Sequence, residues 1–251
     1  MILLPRVVRA QRRRWLLLVA AVCLLLCLTA CTSTRPKLHV QAPQLAQAPI
    51  LLLPVDVVLS ELLATGLAET RADWSEQARD GLTAALGSEL GRAGASVLSL
   101  QADPTAELAQ VELLYQAVAS SIIAAELRPE LLPTKRDRFD WTLGPGAAQV
   151  LRGAAQRQFP DSPPARYALF CYVRDSYASS GRKALMVVGP LLGLGVQGGQ
   201  QIGVSALVDL REGRIAWFNL LLSSSGDLRS PEPAREVTRR LLEGLPGVGA
   251  S

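Results

Sequence analysis

Apolar and polar residues follow different periods in successive stretches of this chain, and the periods divide it into elements. Trp15 to Leu28 is unbroken apolar sequence, and the next long apolar stretch, Ile50 to Val58, is interrupted by Pro54. A strand is predicted there with an edge or a bulge at the proline, which has no N–H for a central ladder. Trp74, Ala78, Leu82, Leu86 and Leu90 recur at helical spacing, with Asp73 and Glu76 as a capping pair before them and Gly94 as the stop. Ala95 to Leu100 reads as a short strand. Asp103-Pro104 then opens a long helix with Leu108, Val111, Tyr115, Val118 and Ile122 on one face, closed by Arg128-Pro129. After a loop over residues 129–146 that carries Trp141, Val150, Leu151, Ala154 and Gln158 line up a third helix from Ala147 to Phe159.

Arg166 to Asp175 is apolar at both alternations, Tyr167, Leu169, Cys171 and Val173 on one face and Ala168, Phe170 and Tyr172 on the other, as a central strand buried on both sides requires. Gly203 to Leu210 and Arg214 to Leu222 flank the turn Arg211-Glu212-Gly213 and predict a hairpin; Glu232 to Leu242 closes the pattern as a short helix. There is no internal repeat. The order β-α-β-α-α-β-β-β-α predicts a single α/β sandwich over residues 49–245, with a mixed sheet of about five strands flanked by helices and a short tail at 246–251.

The front of the chain has a different character. Arg6, Arg9, Arg12, Arg13 and Arg14 precede the Trp15–Leu28 run, and ~14 residues make only ~21 Å of helix, short of a bilayer. This is the layout of a signal peptide over residues 1–30. Leu28-Thr29-Ala30-Cys31 resembles the lipobox of bacterial lipoproteins, which implies a lipid-bearing Cys31 as the new N-terminus; Thr32 after it resembles the pattern for export to the outer membrane. An ordinary secretory signal and a hydrophobic anchor are the alternatives. Residues 32–48 show no period and hold two prolines and three glutamines, so 31–48 reads as a lipidated tether. Cleavage removes five arginines and no acid, which takes the formal charge from +4 to −1 and with it the argument for a nucleic-acid partner. Expected partners are a membrane, reached through Cys31, and a protein or a second copy.

Composition excludes several chemistries. The one histidine, His39, lies in the tether, which leaves no multi-histidine zinc site and no Ser-His or Cys-His pair in the folded body. Of four cysteines only Cys171 is neither in the signal nor assigned to lipid, and its apolar surroundings read as a small buried hydrophobe rather than a nucleophile. Gly193-Leu194-Gly195-Val196-Gln197-Gly198 matches a dinucleotide fingerprint literally, yet Gly199 and Gly203 lead into a strand instead of a helix, so no cofactor is expected. Asp137 and Asp140 share a loop with Lys135, Arg136 and Arg138 and read as neutralised surface charge rather than a hydrolase pair. Asp209 reads as turn chemistry, and Trp217, placed with Ile215 and Asn219 on one face, as packing. The apolar segment Ala184 to Val196 is too short and glycine-rich to span a bilayer. It is expected either to cover its own domain or, through Leu191, Leu192 and Leu194, to form an interface.

The lipobox, the early strand near Pro54, Trp141-Thr142-Leu143-Gly144, Asp175-Ser176-Tyr177 and the stretch from Leu207 to Asn219 together resemble uncharacterised outer-membrane lipoproteins. These are similar to curli-secretion (CsgG) lipoproteins, penicillin-binding-protein-activator lipoproteins and the TolB amino-terminal domain, over roughly residues 48–245. The resemblance implies a non-enzymatic accessory in secretion or envelope assembly at the periplasmic face of the outer membrane, in some relatives assembled as a ring. A subunit of an oligomeric secretion channel and a periplasmic hydrolase are the rival readings. The first needs membrane-spanning hairpins and the second convergent carboxylates.

Overall fold

The computed structural model describes residues 32–38, 49–101, 105–135, 138–192, 198–223, 227–245 and 247–248. In chain order the elements are β1 (Thr32–Leu38), β2 (Ile50–Leu52), β3 (Asp56–Leu62), β4 (Ala68–Thr70), α1 (Ala72–Arg92), β5 (Val97–Ser99), α2 (Ala106–Leu127), α3 (Gly144–Gln158), β6 (Tyr167–Ala178), α4 (Ser180–Val188), β7 (Gln201–Asp209), β8 (Arg214–Ser223) and α5 (Pro231–Leu241). Short 3-10 turns follow α2 and α4. The α/β class is as the pattern predicts, with one mixed sheet between helices. That sheet has eight strands, in the order β1-β8-β7-β6-β2-β5 with β3 beside β6 and β4 beyond β3, and is larger than the five expected.

The first extra strand comes from Pro54. Leu52 pairs with Leu169 and Asp56 with Tyr172, so Leu53, Pro54 and Val55 stand against only Phe170 and Cys171 of β6. This bulge splits the predicted strand into β2, which runs between β6 and β5, and β3, which runs between β6 and β4. β4 is a short exposed strand with no apolar pattern to reveal it. β1 lies in the stretch assigned to the tether: Thr32 to Leu38 pair antiparallel with Ser223 to Trp217 at the sheet edge. Backbone hydrogen bonds to a neighbour make an edge strand, and no hydrophobic period is needed for that.

Two cores lie on the two faces of the sheet. On one, Leu52, Val57, Leu59, Leu169, Cys171, Val173, Trp217 and Leu221 meet Leu82, Leu86 and Leu90 of α1 and Val237 and Leu241 of α5. On the other, Leu51, Ala168, Phe170, Val204, Val208, Ile215 and Phe218 meet Leu108, Val111, Tyr115 and Ile122 of α2 and Leu151 and Ala154 of α3. The alternation of β6 is therefore as predicted. α2 alone among the described helices is long and apolar enough to cross a membrane, but its inner stripe is packed on the sheet. Asn219, fully buried, donates from Nδ2 to the Arg240 and Leu241 carbonyls at 2.7 and 3.2 Å, satisfying orphan acceptors at the end of α5.

Three local expectations are corrected. α1 begins one residue before Asp73, and Asp73 pairs with the Arg71 guanidinium instead of capping the helix. Ser75 Oγ takes over the joining role, accepting from the Leu59 N–H at 2.9 Å and donating to the Arg71 carbonyl at 2.7 Å. In β8 a register shift pairs Leu207 with Trp217 but Val208 with Ile215, so Ile215 and Trp217 enter opposite cores instead of sharing a face. The segment from Ala184, to which the sequence pattern assigns no helix, continues α4 and a 3-10 turn over Gly189–Leu192. Ser179 caps this helix by accepting from the Arg182 N–H at 3.3 Å. The proposed cap Asp103-Pro104 lies outside the described residues.

Candidate functional site

Strand register brings one row of residues together across the sheet: Thr32, Ser223, Gln201, Asp175 and Leu59 are successive partners. The β1 start, the β6 and β3 ends and the loops that follow them all lie on the same side of this row. Here β6, β7 and β8 extend past the ends the pattern predicts, to Ala178, Gln201 and Ser223, and carry buried polar groups. Asp175, 6% exposed, accepts 2.6 Å hydrogen bonds from Tyr177 Oη and Gln201 Nε2. Tyr177 Oη accepts in turn from the Leu228 N–H at 2.8 Å, which ties the loop before α5 to β6. No cation pairs with Asp175 among the described residues. Burial raises its pKa to about 6, against the pull of the two donors, and burial beside Asp175 raises Tyr177 as well.

Aromatic rings and guanidinium groups cover this network. Arg229 stands 4.4 Å from the Tyr177 ring centre and 4.9 Å from that of Trp74, while Arg71 lies 4.1 Å from the Trp74 ring centre. Trp74 and Tyr177 meet edge to face at 5.9 Å. Each guanidinium is held by an acid. Asp227 binds Arg229 through both oxygens at 2.7 and 2.6 Å, and its pKa is lowered by that contact; Arg71 reaches Glu61 and Asp73 at 3.0 Å. The arrangement ties β6, β7, α1 and the 227–229 loop around one carboxyl that changes charge near pH 6.

Beyond the network at the same end, α4 has no buried residue. Leu185, Met186, Val187 and Val188 are all exposed, and Leu67 in the β3–β4 loop is exposed too. Of the interface residues expected from sequence, Leu191 and Leu192 fall in the Gly189–Leu192 turn with side chains outside the described set, and Leu194 lies outside it altogether. The exposed apolar surface that the structure does place is the turn before them. No periodicity exposes it in the sequence, because a helix with apolar residues in succession on the outside has no polar face to alternate with.

A cleft opens at the Pro54 bulge, where β5 has ended and β4 has not begun. Its cavity, about 230 Å³, is lined by Asp56, Arg79, Glu112, Tyr115, Gln116 and Tyr172 among others. Arg174 Nη2 and Gln116 Nε2 hold Asp56 at 2.6 and 3.1 Å. Burial, then the Asp56 charge, raises the pKa of Glu112, and Tyr115 Oη is buried without a hydrogen-bond partner among the described residues. The volume is below the ~300 Å³ at which ligand pockets begin. Cys171 lines the same cleft, and burial pushes its thiol up to about 12. Iodoacetamide at pH 8 is therefore expected to leave Cys171 unmodified in the folded protein and to alkylate it after denaturation. Rapid native labelling, read by intact mass, contradicts the inert role.

The other sequence candidates are dispersed. Asp140 pairs with Lys135 at 2.5 Å on the surface, and its partner Asp137 lies outside the described residues. Asp209 accepts from the Arg211 N–H at 2.9 Å and from Arg166 at 2.9 Å, the turn role expected of it. Trp217 is fully buried in the core as packing. Gly193 to Gln197 of the glycine motif, His39 and Cys31 lie outside the described residues. No group of three or more His, Cys, Asp or Glu with metal-binding geometry occurs among the described residues. Asp175, Gln201 and Tyr177 are the site residues that sequence reasoning passed over. The available signal was an acid at the end of a strand otherwise apolar on both faces.

No protein-family model matches the chain, and no curated protein matches it. Solved structures similar at low identity include two of one assembly. The PelC dodecamer from Paraburkholderia phytofirmans, in space group P6, is 15% identical, with 86% of this chain and 97% of that one covered and a TM-score of 0.39. A methionine variant of the same dodecamer, in space group C2, is 14% identical, with 86% and 98% covered and a TM-score of 0.38.

Proposed function

We propose that the chain is a lipoprotein anchored through Cys31 at the periplasmic face of the bacterial outer membrane, where its domain acts as a non-enzymatic accessory in secretion or envelope assembly. The observation that carries this reading is the adjacency of two features: the lipobox ends at Cys31, and Thr32 already pairs with Ser223 in the sheet. An acyl chain on Cys31 is thereby coupled to the folded body and not to the far end of a long tether. Docking in place of catalysis is supported by exposed apolar side chains on two separate surfaces, α4 and the outer side of α2, where Leu113, Leu114 and Leu127 are exposed. The second surface suits a protein partner or a second copy of the chain.

The test is Cys31→Ala, expressed as the full chain in a diderm bacterium fed labelled palmitate. The wild-type protein is expected to incorporate label and to sediment with the outer membrane; the variant is expected to lose both. Label persisting on Cys31→Ala, or none on the wild type, overturns the anchor.

A further inference from the structure

We infer that α4 and Leu67 of the β3–β4 loop lie in the interface of the lipid bilayer, so that apolar side chains as well as the acyl chain dock the domain on the membrane. The inference rests on acylation of Cys31. Val187 is 75% exposed, Leu67 67%, Val188 46%, Leu185 37% and Met186 36%, an apolar surface of the kind that marks an interaction face. The two segments are fastened into one unit. Ser179 N–H donates to the Leu62 carbonyl at 2.9 Å, Arg182 Nη1 to the Leu63 carbonyl at 3.3 Å, and Gly181 lies against Ala64.

The direction of the chain selects the occupant. β1 runs inward from Thr32, which lies in the Thr32–Ser223–Gln201–Asp175 row, and Cys31 is bonded directly to Thr32, one peptide unit or ~3.8 Å away. β8 and β7 separate β1 from β6, which puts β6 three strand spacings, ~14 Å, across the sheet from the anchor. β6 continues to Ala178, ~10 Å past Asp175, and α4 departs from there. The bilayer that receives the acyl chain therefore faces the end of the domain from which α4 projects.

The helix has interfacial character. Nine residues make ~14 Å of helix, far too short to span, and exposed Lys183 at its start complements anionic headgroups beside an apolar surface. A second copy or another protein meets the same apolar chemistry, but neither accounts for its position beside the anchor.

The experiment uses the acylated full chain reconstituted in vesicles of phosphatidylethanolamine and phosphatidylglycerol that contain a phospholipid with a photoactivatable acyl chain. Irradiation followed by peptide mass spectrometry is expected to find lipid adducts on residues 185–188 and Leu67, and none on Leu113, which is 64% exposed on α2. Val187→Asp with Val188→Asp is expected to lower those adducts by about tenfold or more, since a carboxylate is expelled from the acyl region. Circular dichroism, melting temperature and palmitate content are expected to stay unchanged, because the replaced side chains are exposed. A palmitate-labelled protein with no adduct on α4, or with α4 crosslinked to a second copy or another protein instead, overturns the bilayer docking and leaves the anchor standing. Adducts on α4 in a protein without palmitate overturn the anchor and leave the docking.

Discussion

Replacing Gly213 by alanine is expected to destabilise the domain by about 3 kcal/mol or more, lowering the melting temperature by roughly 6–12 °C for a chain of this size. Gly213 has φ +75, where an L side chain costs ~1–2 kcal/mol, and a Cβ there meets the Gly144 carbonyl oxygen at 2.1 Å and its nitrogen at 2.9 Å. The obstruction is backbone, so no side-chain rotation relieves it. Relief is further restricted because the Gly213 carbonyl accepts from Leu143 N–H at 2.8 Å and from Thr142 Oγ1 at 3.0 Å, locking the β7–β8 turn to the start of α3. Gly146→Ala is the control. Gly146 lies in α3, where an added methyl group has no neighbour within 4 Å, and the substitution is expected to be neutral or to stabilise by up to ~1 kcal/mol. Equal melting temperatures for Gly213→Ala and wild type contradict the interlock.

Asp175→Asn is expected to stabilise the protein at pH 7.5 and to flatten its stability between pH 4 and 7. The folded pKa of Asp175, about 6, lies above its ordinary value of 3.8, so between these values the native state holds the proton more firmly than the unfolded chain. The contribution of the neutral acid is fully present below pH ~4 and is lost as pH rises through about 6. At ~1.4 kcal/mol for each pKa unit this amounts to at most about 3 kcal/mol. Asp227, lowered by Arg229, has the opposite sign and loses its contribution as pH falls. The difference between wild type and Asp175→Asn isolates Asp175 from it. Melting curves of both proteins across that range are expected to diverge at neutral pH and to converge near pH 4. Parallel curves contradict the assignment.

Much of the architecture was legible because it depends on periods. Leu82, Leu86 and Leu90 mark the inner face of α1, the double alternation from Tyr167 to Val173 marks a strand between two cores, and Arg211-Glu212-Gly213 marks the turn. Pro54 announced a bulge in advance, since a missing N–H is a property of the residue itself. The candidate site was hardly legible. Asp175 and Gln201 lie 26 residues apart in the chain and become neighbours only through the β6–β7 register, and Trp74 reaches Tyr177 only because α1 packs across the sheet.

The sequence by itself determined the two-faced strands, the inner stripes of the helices and the sharp turns, because local sterics and the separation of apolar from polar residues act on neighbours. The tertiary structure alone decided the rest. β1 exists because β8 offers it free carbonyls and N–H groups, Ile215 and Trp217 part company because one extra residue shifts the ladder, and Gly213 is obligatory because the Gly144 backbone occupies the space its Cβ needs. These are contacts between positions distant in the chain. Pairing register, burial of an acid without a cation, and close backbone approach depend on which surfaces meet, and no local period records that meeting.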